Sequence, residues 1–192
     1  MFNSEGIKDL FDDTYETDAL IIKPATDEEI ARCNGDLADI LRSGGDYIDS
    51  IRPGAKASGA SGTVHSIPES YAEFLKISNG YAWNGFEFFG IYQTTVKASG
   101  YTLPDLISMN EKYHNDKMGL DDMIVLGRFD DDIYVYNFKE SEYQALDSLT
   151  LSYIDSFEGF DDLFICYVSM YTDEEDYIDD DNIIEDDGNA DQ

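Results

Sequence analysis

Cations, cysteines and histidines are the scarce residues of this chain. Its 192 residues hold 12 Lys or Arg against 42 Asp or Glu, a formal net charge of −30 at pH 7. A surface so poor in bases is repelled by phosphate backbones and by anionic lipid leaflets, which excludes nucleic acids and membrane surfaces as partners. The only cysteines, Cys33 and Cys166, are too far apart in sequence for a disulfide framework or a metal knuckle. The only histidines, His65 and His114, have neither the metal-ligand nor the triad spacing that nucleophilic or metal catalysis requires. No run approaches the ~20 apolar residues of a membrane span. Met1 to Asp13 is acidic and without a long apolar run, so a signal peptide is not expected there. A soluble cytoplasmic protein is the expectation.

What is present argues for a folded body. Apolar residues make up 42% of the chain, with 14 Tyr and 11 Phe. Disordered acidic chains are poor in aromatics. Length and composition fit one domain with a real core. After Thr172 the composition changes: residues 173–192 include 11 acids and no base. Like charges in a run repel and stay solvated, so 173–192 reads as a tail on a 1–172 domain. The body keeps 31 acids against 12 bases, so the acidic field belongs to the domain surface as well. Such a field steers cationic proteins and speeds their capture.

Thr26 to Leu41 reads as a helix, with Thr26 and Glu29 as a capping box, Ile30, Cys33, Leu37, Ile40 and Leu41 as its buried stripe, and Gly44-Gly45 as its stop. Residues 54–66 read as a polar loop. Gly54 and Gly59 have phosphate-loop spacing, but Ala60 stands where the lysine is needed, so no nucleotide site is assigned. Ile67 to Gly80 reads as a short amphipathic helix, with Pro68 in its first turn and Gly80 ending it. Phe86–Ile91 reads as a strand, and Thr102–His114 as a helix capped by Thr102 with Leu106, Met109 and Tyr113 inward. Met123–Phe129 and Ile133–Phe138 read as a hairpin, followed by shorter strands Tyr143–Leu146 and Leu149–Ile154. Ser156–Tyr171 reads as a closing helix, capped by Asp155 and Glu158, with Phe157, Phe160, Phe164, Tyr167, Val168 and Tyr171 inward.

Ile67, Pro68, Tyr71, Phe74, Leu75, Asn79 and Gly80 stand at the spacing of the signature helix of the SUKH superfamily, which this chain resembles. Val125-Leu126-Gly127, Tyr134-Val135-Tyr136-Asn137 and Ser156 through Phe164 follow in that family's order, so the resemblance spans about residues 26–171. The superfamily includes the fungal Smi/Knr cell-wall regulators and many bacterial immunity proteins. The resemblance implies a single α+β domain with a mainly antiparallel sheet packed against helices. It implies no catalytic residues and no cofactor. It also implies a role in neutralising polymorphic or contact-dependent toxins, frequently nucleases.

The partner expected from charge and resemblance together is a cognate basic protein toxin, met by a monomer or weak dimer. Candidate contact residues are Asp46 and Asp49 after the first helix, the hairpin Asp130, Asp131 and Asp132, Glu140 and Glu142 in the next turn, and Asp161 and Asp162 on the closing helix. Trp83 reads equally as a binding anchor or as core. Asp130–Asp132 lacks the glycine and closing glutamate of a calcium loop, so no metal site is assigned. Two other functions share the inventory: a regulatory or scaffolding Smi/Knr-like module, and a hydrolase using paired carboxylates.

Overall fold

The computed structural model describes residues 2–15, 18–51, 66–97, 99–116, 119–120 and 122–172, with the backbone alone over 42–51. Residues 54–65 of the expected loop 54–66, His65 among them, and the tail 173–192 lie outside these residues. Five helices are described: α1 Ser4–Tyr15, α2 Asp27–Ile51, α3 Glu69–Leu75, α4 Leu106–Asp116 and α5 Phe160–Thr172. The strands are β1 Leu20–Ile21, β2 Tyr81–Trp83, β3 Phe86–Phe88, β4 Thr94–Thr95, β5 Thr102–Leu103, β6 Met123–Phe129, β7 Asp132–Asn137, β8 Glu142–Asp147 and β9 Tyr153–Phe157. All but β4 and β5, which pair only with each other, form one seven-stranded antiparallel sheet in the order β1-β2-β3-β6-β7-β8-β9. The architecture is α+β, as expected.

Aromatic rings fill the space between α1, α3 and α5 and one face of the sheet. Phe74 of α3 stands at their centre, with ring centroids of Phe160 at 4.8 Å, Tyr71 at 5.4 Å, Phe164 at 5.5 Å, and Phe11 and Phe88 at 6.3 Å. Burying such rings supplies both area and edge-to-face contacts. Tyr71 adds direction. Its hydroxyl donates to Phe89 O at 2.6 Å, with Leu126 O 3.0 Å away, at the point where β3 parts from β6.

The parting of these strands is built in. β6 carries a bulge between Val125 and Gly127. A Cβ at Gly127 would lie 2.6 Å from Glu87 O and 2.7 Å from the Phe88 ring, so only glycine lets the strands approach. Beyond the bulge, Asn110 of α4 replaces the missing strand. Its side chain donates to Val125 O and accepts from Val125 N–H, each at 2.8 Å, while fully buried. Asn79 does a similar service by accepting from Ile91 N–H at 2.7 Å, and Gly80 beside it turns the chain at φ 104°.

Several boundaries differ from the sequence-based expectation, each for a physical reason. Helix α1 had no counterpart, although Ile7, Leu10, Phe11 and Thr14 repeat at helical spacing and are all buried. The capping box forms, with Thr26 N–H to Glu29 at 2.8 Å and Glu29 N–H to Thr26 at 3.3 Å. Gly44-Gly45 does not stop α2, which continues to Ile51. Glycine costs only about 1 kcal/mol in a helix, less than a breaker such as proline. Thr102 belongs to the β4–β5 hairpin; Asp105 caps α4 instead, accepting from Ser108 N–H at 2.8 Å. Asp155, Ser156 and Phe157 pair with β8, so they cannot cap a helix. Helix α5 starts at Phe160, whose N–H donates to Ser70 of α3 at 2.8 Å. Leu149 to Ser152 turn around Asp147 and do not extend the last strand, which is β9.

Candidate partner-binding surface

Successive turns of the antiparallel meander β6-β7-β8-β9 fall at alternate ends of the sheet. Asp130 and Asp131 make the first turn, with Asp130 at φ 49°. Asp132 follows on β7, directly opposite Asp147 of β8. Ser148 N–H donates to Asp131 O at 2.7 Å and ties the β6–β7 and β8–β9 turns together. Asp147 Oδ1 accepts from Thr150 N–H at 2.7 Å and from Leu149 N–H at 3.1 Å, so its charge also shapes the turn. Burial, then the carboxylates of Asp147, Asp130 and Asp131, push the Asp132 carboxyl above its ordinary range. Four carboxylates therefore converge at this end.

Glu140 and Glu142 stand at the opposite end, where Phe157 of β9 pairs with Tyr143 and the chain turns into α5. Exposed Asp162 shares that end. Six residues of strand at ~3.3 Å each separate the two groups by roughly 17–20 Å. Physiological salt screens charge over about 8 Å, so the two ends act as separate fields. The acids do not form one patch.

Four of the expected contact residues are placed differently by the structure. Asp161 is buried; its carboxylate accepts from Asn3 N–H at 2.7 Å and from the Ser70 hydroxyl at 3.1 Å, and so fastens the N-terminal segment and α3 to α5. A carboxylate spent on such bonds cannot meet a partner. Asp46 and Asp49 lie within the last turns of α2, not in a loop after it. Trp83 takes the core option: it is buried in β2, opposite Phe86.

Trp83 also borders a cleft of about 850 Å³, shared with Tyr15, Asp18, Glu87 and Tyr101. Glu87 is committed on both oxygens, to Arg128 Nε at 2.6 Å and to the Tyr101 hydroxyl at 2.7 Å. Burial and the bond to Glu87 raise the Tyr101 phenol. These two bonds fix the Glu87 carboxylate in the wall of the cleft. No signal in the sequence points to this trio: the β3–β6 register sets Glu87 opposite Arg128, and Tyr101 reaches Glu87 from the segment before β5. His114 is half-buried with Nε2 3.0 Å from Met123 O. Among the described residues, no group of three or more His, Cys, Asp or Glu is placed to hold a metal ion.

One signal was in the sequence all along. After Lys139 the chain has no Lys or Arg. The structure sets that gap on adjoining elements: β8, β9 and α5 are without a cation, while Glu142, Asp147, Asp155 and Asp162 lie on them and Glu140 and Glu158 in the adjoining turns. Along the outer strand β9 and its turn, Leu149 (80% exposed), Tyr153 (60%) and Ile154 (45%) face outward, and Met170 of α5 is 49% exposed.

No family model matches the chain, and no curated protein matches its sequence. Among the described residues no helix is long and apolar enough to cross a membrane.

Proposed function

We propose that this protein is a non-enzymatic immunity protein of the SUKH type, which captures a basic toxin, a nuclease domain above all, in the cytoplasm. The observation that carries the reading is the cation-free side formed by β8, β9 and α5, with acids at both ends and apolar side chains exposed between them. Carboxylates that meet Lys and Arg of a partner give fast encounter and correct orientation, while the apolar strip supplies burial. The positions that carry the SUKH resemblance support a division of roles: Tyr71, Phe74, Leu75 and Asn79 are buried and hold the framework, leaving the surface to recognition.

The decisive experiment is rescue. Cells expressing a basic nuclease toxin domain that is the cognate partner should survive when this protein is co-expressed, and the two should co-purify. Affinity should fall at least tenfold between low and moderate salt, because the charges on both partners are exposed. Toxicity that persists despite stable co-expression would sink the immunity reading. A complex whose affinity ignores salt would sink the electrostatic one.

A further inference from the structure

The outermost strand of the sheet is an unusual edge. Among the described residues β9 pairs only with β8, so one row of its backbone groups faces away from the sheet. Edges of this kind are ordinarily blunted by lysine, proline, bulges or a covering element, because an exposed apolar edge recruits other strands. Residues 149–158 contain no lysine or proline. A bulge at Ala145/Leu146 in the register with β8 and the acids Asp155 and Glu158 are the restraints among the described residues, and Tyr153 and Ile154 remain exposed.

The backbone at the middle of β9 is accessible. Ser156 N–H is not spent on β8; it donates to the side chain of its neighbour, Asp155 Oδ1, at 2.8 Å. Such a local bond is readily exchanged for the carbonyl of an added strand, and the exchange releases Asp155 to pair with a cation. Acids also lie beyond both ends of the strand, Asp131, Asp132 and Asp147 on one side and Glu158 and Asp162 on the other.

We propose that the free edge of β9 is a docking strand for an extended segment of the basic partner, which joins the sheet and places alternate Lys or Arg against the acids and alternate apolar residues against Tyr153 and Ile154. Strand addition draws affinity from main-chain bonds and selectivity from alternate side chains. Charge selects the occupant. A second copy of this chain would bring Asp155 and Glu158 against their own kind and add another strongly acidic body, whereas a cationic strand neutralises them. The inference rests on the basic-partner reading above and specifies where and how that partner is held.

The full-length protein, isotope-labelled, should be titrated with a blocked eight-residue peptide of alternating valine and lysine. A second peptide of the same sequence carries N-methyl groups on alternate residues, which keep the charge but remove strand pairing. The first peptide should bind, slow exchange of the β9 amides about tenfold or more, and lose about tenfold in affinity against Ile154→Lys or against the N-methylated form. Equal binding of the two peptides, with β9 amides unchanged, overturns strand addition while leaving a basic partner intact. Failure of both peptides to bind also overturns it; toxin capture, which uses no peptide, then judges the wider reading on its own. Sedimentation showing a dimer that Ile154→Lys dissolves would give the edge to a second copy and overturn the proposal. Retained binding by a folded Ile154→Lys variant would overturn it as well.

Discussion

Asp161 and Asp162 are adjacent acids with opposite fates, and separating them tests how charge is divided between framework and surface. Asp161→Ala removes the acceptor of Asn3 N–H and of the Ser70 hydroxyl. Hydrogen bonds to a charged group contribute about 1.5–3 kcal/mol each. Ser70 keeps its bond from Phe160 N–H, and Asn3 is only part-buried, so the lower half of the sum applies. The expected loss is about 3–4.5 kcal/mol, a fall in melting temperature of roughly 6–18 °C for a chain of this size. Asp162→Asn should stay within about 1 kcal/mol of the parent, since it loses only an exposed charge near a helix start. Its effect should appear in binding, as a weaker capture of a cationic partner. Calorimetric melting of both variants, alongside affinity at fixed salt, reads the two effects separately. An Asp161→Ala variant that melts with the parent would refute the fastening role. An Asp162→Asn variant that unfolds would refute the assignment of that acid to the surface.

Two further outcomes follow from the framework. Asn110→Leu keeps the volume but orphans Val125 N–H and C=O where β6 has no neighbouring strand; two buried unpaired groups should cost about 2–6 kcal/mol in urea unfolding, and a loss under about 1 kcal/mol would contradict the strand-replacing role. The raised Asp132 carboxyl contributes stability below the unfolded carboxyl range, near pH 4, and that contribution is lost as pH rises through its higher folded value. Asp132→Asn should therefore stabilise the protein at pH 7 and not at pH 3, as unfolding curves at the two pH values would show.

Some local signals in the sequence carry through to the structure. Thr26 and Glu29 cap each other within one turn, and Gly80 turns the chain because it lacks a side chain. The α+β class, which the resemblance implies, is the architecture observed. Errors arose where the partner is distant. Phe160 N–H is satisfied by Ser70, ninety positions away, so Asp155 and Glu158 looked like the nearer cap. Asp105 was legible as the cap of α4, with Ser108 three residues on, but Thr102 offered a rival that the β4–β5 pairing claimed. The acids were legible as charge, but not as geometry: only the alternating turns send Asp130–Asp132 and Glu140–Glu142 to opposite ends, and only packing buries Asp161. The absence of bases after Lys139 was plain in the sequence and lacked meaning until β8, β9 and α5 were seen side by side.

The inward placement of the Tyr71–Gly80 segment has a consequence for how such a protein changes over generations. Its aromatic and amide groups are locked to one another and to the strand backbones, so a substitution there endangers folding itself. The side chains of Leu149, Tyr153, Ile154 and Asp155 hold little of the interior in place. Mutations along that strip would be filtered by what the protein meets and hardly by whether it folds. Descendants could thus exchange one adversary for another while inheriting an unaltered core, and two lineages with the same framework would come to share few residues on their outer strand.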